Sequence, residues 1–300
     1  MEYTVTSYCS PDLDGISCMY AYAEFLNKIG KKANYYIEGN IKKEIEIVCE
    51  LFNISLKREE ILGEKIIIVD TNSILDVSKK ISADMVVEIV DHHTKSKECE
   101  KLKNVTLQIE KVGAAATLIA EKFKQNKVEI SRNSSILLYY AIISNTINLK
   151  SNTTCIRDIE IIKWLKEKCI EIDDSKIKYI FEEKSKIHDN LREEMEAERT
   201  FYVKNKIMTI AQLELVDIQT FLSENKSKIK NILEQIKIEK KIDYIFLNCI
   251  DIWEGYNVLV TIDKQTEELI SKVLEVKFED NEGKTDKIYM RKEIIRRLVE

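Results

Sequence analysis

The stretch MVVEIVDHH, residues 85–93, sets a short apolar run directly against one aspartate and two histidines. Six residues rich in Val and Ile are too few for an ordinary helix and suit a strand buried on both faces of a parallel sheet. KIIIVDTN (65–72) repeats the arrangement: an apolar run, then Asp70. A third version opens the chain, where a strand over 3–7 runs into SPDLDG (10–15) with Asp12 and Asp14. Helical spacing lies between these runs, at 15–29 and 41–52, with another strand at 33–37. Helices follow at 113–123 and 134–147. This alternation predicts an α/β, doubly wound, mostly parallel sheet with helices on both faces.

Beyond about residue 174 the pattern changes. A long charged helix is expected over 174–199, then strands at 201–204, 207–214, 243–250 and 256–262 around a helix at 217–238. The chain therefore reads as a first domain over 1–187, a linker at 188–195 and a smaller C-terminal α/β domain with a mixed sheet over 196–300.

Composition narrows the function classes. With 44% hydrophobic residues, the 300-residue chain has material for a core. A net charge of −5 with mixed signs argues against a long nucleic acid as partner. Seven scattered cysteines without a C-x-x-C pair fit a reducing, cytoplasmic setting. No segment reads as a leader, and none approaches the roughly 20 apolar residues of a membrane span.

In an open parallel sheet, ligands bind outside the carboxyl ends of the strands. Here those ends carry Asp12, Asp14, Asp70, Asp91, His92 and His93, and the chain has only three histidines. Any one of these could be a cap or a turn residue. Together they would repel without a cation among them. Mixed imidazole and carboxylate donors favour Mn²⁺, with Co²⁺ or Mg²⁺ as alternatives, and one or two ions are compatible with the set.

SPDLDG, IIIVDTN and EIVDHH, in this order, resemble the DHH phosphoesterase superfamily. FYVKNKIMTIAQLELVD (201–217), DYIFLNCIDIWE (243–254) and YMRKEIIRRL (289–298) resemble the second domain of manganese-dependent (family II) inorganic pyrophosphatases and related exopolyphosphatases. No Gly-Gly-Gly-His segment of the nuclease and nanoRNA-degrading branch is present. The resemblance implies two α/β domains with the active site in the cleft between them, and a homodimer. It also implies metal ligands at Asp12, Asp14, Asp70 and His92, and substrate contact and proton transfer at His93. Asp91 is then a support for the neighbouring histidines, and Arg199, Arg291 and Lys292 bind phosphate. Lys150, in the NLKSNTTC segment, joins the substrate-binding candidates.

Two positions depart from that pattern. Tyr8 stands where the pyrophosphatases have a histidine ligand, and Asn145, in AIISNTINLKSN, stands where they have an aspartate bridging two metals. A phenol ligates well only as phenolate, and its ordinary pKa is about 10. A carboxamide brings one good oxygen and no charge. A tighter site built on Asp14, Asp70 and His92, with Asn145 as a weak fourth ligand, and a poorer one that keeps only Asp12 and Asp70 as firm ligands, with Tyr8 a poor replacement for the histidine, are expected.

Three functions follow from this reading. The first is a metal-dependent phosphohydrolase cleaving a phosphoanhydride bond of pyrophosphate or short polyphosphate with activated water. The second is a divergent member that binds a small phosphorylated ligand with little or no turnover. The third is a phosphodiesterase on short oligonucleotides.

Overall fold

In the computed structural model, residues 2–63, 65–187, 190–196, 199–203 and 206–299 are described. The side chains of Glu196, Arg199, Thr200, Tyr202 and Lys292 lie outside that set. The chain forms two compact units, Met1–Lys184 and Ser185–Glu300.

Unit 1 begins with β1 (Glu2–Thr6), α1 (Leu13–Lys28), β2 (Lys32–Tyr36), α2 (Lys43–Phe52), β3 (Lys65–Val69), β4 (Val86–Asp91) and β5 (Thr106–Ile109). The strands form one sheet in the order β2-β1-β3-β4-β5, parallel throughout. From β1 the chain moves to one side for β2 and to the other for β3. This reversal is the topological switch point at which open α/β sheets bind ligands. Ile66, Ile67, Ile68 and Val69 are all buried, as the unbroken apolar run requires of an inner strand. Burying each such side chain contributes about 2 kcal/mol.

Four further helices complete unit 1: α3 (Ala115–Gln125), α4 (Arg132–Asn145), α5 (Ile156–Lys168) and α6 (Ser175–Lys184). Every residue of α4 from Ser134 to Ile143 is buried. A helix that is apolar on all sides belongs inside a core, as the sequence implied.

Unit 2 holds α7 (Leu191–Glu196), β6 (Arg199–Val203), β7 (Lys206–Leu215), α8 (Ile218–Glu239), β8 (Tyr244–Asp251) and β9 (Tyr256–Thr261). It closes with α9 (Lys264–Leu274), β10 (Phe278–Glu279), β11 (Glu282–Lys284) and α10 (Arg291–Val299). Its sheet runs β10-β11-β9-β8-β7-β6, with β7 and β8 parallel and the other pairs antiparallel.

Several expectations need correction. The charged segment 174–199 is not one helix but α6, α7 and the start of β6. Asn190 accepts from Arg192 N at 3.0 Å and opens a new helical turn there. The expected linker at 188–195 therefore contains α7, whose Leu191 and Met195 are buried in the core of unit 2. They stand four apart and share one helix face. β5, α5, α9 and the small β10–β11 hairpin add to the elements read from the pattern. None of the described helices is long and apolar enough to cross a membrane.

Candidate metal centre

Each site segment leaves the carboxyl end of a strand of unit 1. After β1 the chain turns through Ser7–Pro11 to Asp12, the N-cap of α1. Asp12 Oδ1 accepts from Asp14 N at 3.0 Å and Gly15 N at 3.2 Å. Asp70 ends β3 in the left-handed region, φ 58°, which aspartate tolerates better than branched residues. Its own N–H donates to Val90 O at 2.9 Å, tying the turn to β4.

Asp70 is buried, and its Oδ1 has no hydrogen-bond partner among the described residues. His92 Nε2 lies 3.4 Å from that oxygen, within ion-pair range. The second buried orphan in this region is Ser7 Oγ. Both side chains border Gly15: a Cβ there would fall 2.9 Å from Ser7 Oγ and 3.4 Å from Asp70 Oδ2. Glycine at the first turn of α1 therefore leaves the room in which Asp70 sits.

His92 is held through its other nitrogen, Nδ1, which donates to Val112 O at 3.0 Å. That bond orients the ring, sets its tautomer when it is neutral, and turns Nε2 toward Asp70 and toward Asp14 Oδ2, 3.8 Å away. Burial pulls the His92 pKa down, but the Asp70 and Asp14 carboxylates outweigh it and raise it to about 9. The carboxylates are perturbed in turn. Burial raises Asp70 well above the usual range, and repulsion from Asp14 and Asp12 adds to it. Burial also raises Asp14, opposed by His92 and by the Ala115 and Ala116 N–H groups.

Asp91 does different work. Its Oδ1 accepts from His92 N and from His93 Nδ1, both at 2.8 Å, and its Oδ2 accepts from Asn72 Nδ2. Burial raises its pKa, but these donors more than compensate and hold it below the usual carboxylate value. His93 is half-exposed. Asn72 also donates to Thr94 O at 3.2 Å and accepts from Ser96 N at 2.6 Å, so it clamps the loop carrying both histidines.

Asp14 is saturated by donors. Ala115 N reaches Oδ2 and Ala116 N reaches Oδ1, each at 2.8 Å. It thereby caps α3, whose own N-cap, Ala114, has no side-chain acceptor. Cys18 Sγ donates to Oδ1 at 3.5 Å and Asn145 Nδ2 to Oδ2 at 2.9 Å.

The two departing positions have hydrogen-bond roles. Asn145 was expected to offer an oxygen ligand; instead its Nδ2 donates to Asp14 and to Gly113 O at 3.2 Å. Both neighbours can only accept, which fixes the orientation of the amide. Tyr8 Oη accepts from Asp12 N at 3.0 Å. Burial, with Asp12 and Asp70 nearby, pushes its pKa far up, so it stands as a neutral phenol rather than the phenolate a ligand requires.

Asp70, Asp91, His92 and His93 each present one ligand atom, all within 4.8 Å of one another. An orphaned buried carboxylate oxygen facing an imidazole nitrogen is the donor set a divalent cation satisfies. A cation would also relieve the repulsion among Asp12, Asp14 and Asp70.

Unit 2 presents Arg291 at the start of α10. Its N–H donates to Gln212 Oε1 at 2.9 Å and its Nη1 to Ile210 O at 3.3 Å. The Arg199 and Lys292 side chains lie outside the described residues. Lys150 is exposed, in the turn after α4, where Ile147, Asn148 and Leu149 are all left-handed. The sequence reading missed Asn72, Gly113 and Asp158 as residues that hold the site. Asn72 was within reach, since it lies inside the IIIVDTN segment that carries the resemblance.

Residues 2–142, within unit 1, match the DHH family, N-terminal domain. The chain is 26% identical over 283 residues to a probable manganese-dependent inorganic pyrophosphatase of Clostridium acetobutylicum, covering 92% of this chain and 90% of that protein. It is 25% identical over 280 residues to the manganese-dependent inorganic pyrophosphatase of Bacillus subtilis, covering 91% and 89%. Among solved structures, it superposes on a Methanococcus jannaschii protein assigned to the family II inorganic pyrophosphatases with a TM-score of 0.71 and 25% identity, covering 99% of each chain. An exopolyphosphatase-related protein of Bacteroides fragilis shares the fold at a TM-score of 0.51 and 13% identity, covering 99% of this chain and 90% of that one.

Proposed function

We propose, taking the DHH-type domain of unit 1 as the premise, that this protein is a metal-dependent phosphohydrolase. Its substrate class is a phosphoanhydride, inorganic pyrophosphate or a short polyphosphate, and its cation is Mn²⁺. The observation that carries the reading is the buried, unpartnered Oδ1 of Asp70 facing His92 Nε2. Relatives named as manganese-dependent pyrophosphatases over nearly the whole chain supply the substrate class.

A divalent cation held by Asp70 and His92, with Asp12 and Asp14 beside them, supplies Lewis acidity toward water and phosphate oxygens. The remaining chemistry belongs to the chain itself. Asp91 anchors His93 through Nδ1 and stabilises its imidazolium form, in which Nε2–H can pass its proton to the departing phosphate oxygen and leave the ring neutral. Arg291, Lys292, Arg199 and Lys150 neutralise the negative charge of the phosphates. The Asn145 and Tyr8 arrangement leaves the centre with one tight cation position. A cytoplasmic homodimer completes the proposal.

Phosphate release from pyrophosphate, tripolyphosphate, long polyphosphate and ATP, with Mn²⁺, Co²⁺ or Mg²⁺, tests it. Activity abolished in Asp70→Ala is the expected result. Asn145 as a donor to Asp14 favours one second reading, a phosphate-binding protein with slow turnover. Silence of the natural chain, with hydrolysis gained in Asn145→Asp, would establish that reading instead. Release of nucleotides from short oligonucleotides would overturn both.

A further inference from the structure

One five-residue segment touches three site side chains at once. Val112 O holds His92 Nδ1, Gly113 O accepts from Asn145 Nδ2, and the Ala115 and Ala116 N–H groups grip the Asp14 carboxylate. The geometry of the centre therefore depends on where residues 112–116 lie. Their own side chains are buried and pack in the core, but valine, glycine and alanine offer no polar group to orient the peptide that carries these donors and acceptors.

Asp158 does fix it. It lies in the first turn of α5, fully buried. Gly113 N donates to both of its oxygens, at 3.1 and 2.9 Å. Thr117 Oγ1, one helical turn into α3, donates to Oδ1 at 2.6 Å. Cys155 N donates to Oδ2 at 2.8 Å. The Cys155 contact alone would make Asp158 an ordinary cap for α5. The other contacts all point at the segment and at the helix it begins. Gly113 permits the approach: a Cβ there would fall 2.8 Å from Asp158 Oδ2 and 2.4 Å from Thr146 Cγ2.

We propose that Asp158 is a positioning residue for the metal centre, acting through Gly113 on the His92 tautomer and on the placement of Asp14. It does not ligate a cation or touch substrate. The carboxylate holds the peptide of Gly113, the adjoining Val112 carbonyl then selects Nδ1–H on His92, and Nε2 stays open toward Asp70. Partners of this kind typically change metal affinity about 10- to 100-fold when removed. The consequence for metal binding rests on the function proposed above; the consequence for the imidazole does not.

The test compares Asp158→Asn with Thr117→Val. Each removes part of the same buried network, but only the first disrupts the grip on Gly113. Mn²⁺ affinity is measured by titration, with free Mn²⁺ followed by its paramagnetic resonance signal. The His92 ring is followed by its ¹⁵N shifts in metal-free protein at pH 10, above its raised pKa of about 9, where the ring is neutral and has a tautomer, with His93→Gln to aid assignment. In D158N, Mn²⁺ binding should weaken about 10-fold or more, and the His92 shifts should move away from a pure Nδ1–H tautomer. In T117V both should stay near those of the natural chain, whatever happens to its melting temperature. An unchanged His92 tautomer in D158N would overturn the proposal, as would an equal loss of Mn²⁺ affinity in T117V. If the natural chain binds no Mn²⁺, the function proposed above fails, and the tautomer alone decides the role of Asp158. Should D158N not fold, Gly113→Ala carries the same expectations, because it displaces the segment while leaving the Asp158 side chain in place.

Discussion

Asn145 Nδ2 donates to Asp14 Oδ2 across 2.9 Å, so a neutral amide joins the Ala115 and Ala116 N–H groups in satisfying a buried carboxylate. Replacing it with aspartate turns an attractive contact into two acids side by side and also orphans Gly113 O. Asn145→Asp should therefore lose about 2 kcal/mol of metal-free stability. The same change should strengthen Mn²⁺ binding and raise its stoichiometry toward two. Thermal melts with EDTA and with excess Mn²⁺, beside a titration, check both. A variant that is equally stable without metal would contradict the first part.

Asp70 is the opposite case. No hydrogen bond among the described residues reaches its Oδ1, and burial with repulsion by Asp14 and Asp12 outweighs the attraction of His92, 3.4 Å away, so the carboxylate destabilises the metal-free fold. Asp70→Asn should raise metal-free stability by about 1 kcal/mol or more while abolishing the stabilisation that added Mn²⁺ confers. Function held against stability in this way is common at active sites. Denaturation with and without Mn²⁺ reads both effects in one experiment.

His93 and Arg291 should separate kinetically. His93→Gln keeps the Asp70–His92 pair, so Mn²⁺ affinity should change little while kcat for pyrophosphate falls about 100-fold or more. Arg291→Gln should mainly raise KM, because its role is proposed to be phosphate binding. A fall in Mn²⁺ stoichiometry in either variant would count against these assignments.

Away from the site, Glu24 offers a pH prediction. It accepts from Ser131 N at 2.8 Å and Ser134 Oγ at 2.5 Å, and pairs with Lys28 at 2.9 Å. Burial raises its pKa, but these donors outweigh it and hold it below 4.5. A depressed folded-state pKa means the stabilisation is complete above the unfolded value and is lost as pH falls through the folded one. Glu24→Gln should cost about 1–2 kcal/mol at pH 7 and progressively less below about pH 4.5. Urea unfolding at both ends of that range gives the difference.

The sequence made the architecture and the first ring of residues legible for one reason. An apolar run ending in Asp or His is both a buried parallel strand and a site position, so KIIIVD and MVVEIVDHH announced the two together. The hydrogen-bond roles of Tyr8 and Asn145 were not legible, because residue type alone does not say whether an amide turns its nitrogen or its oxygen inward. Gly113 and Asp158 were hidden by separation: they lie 45 positions apart and meet only when α5 packs near the start of α3. α7 was read as a linker because its two apolar residues stand among charges, and only the core of unit 2 shows what they are for.

The order in which the chain leaves the ribosome follows from the same layout. Every residue that holds Asp70, His92 and His93 lies between Ser7 and Asp158, inside unit 1. Domains made first generally fold first, as units. Unit 1 can therefore bring Asp70, Asp91, His92 and His93 together while unit 2 is still being translated.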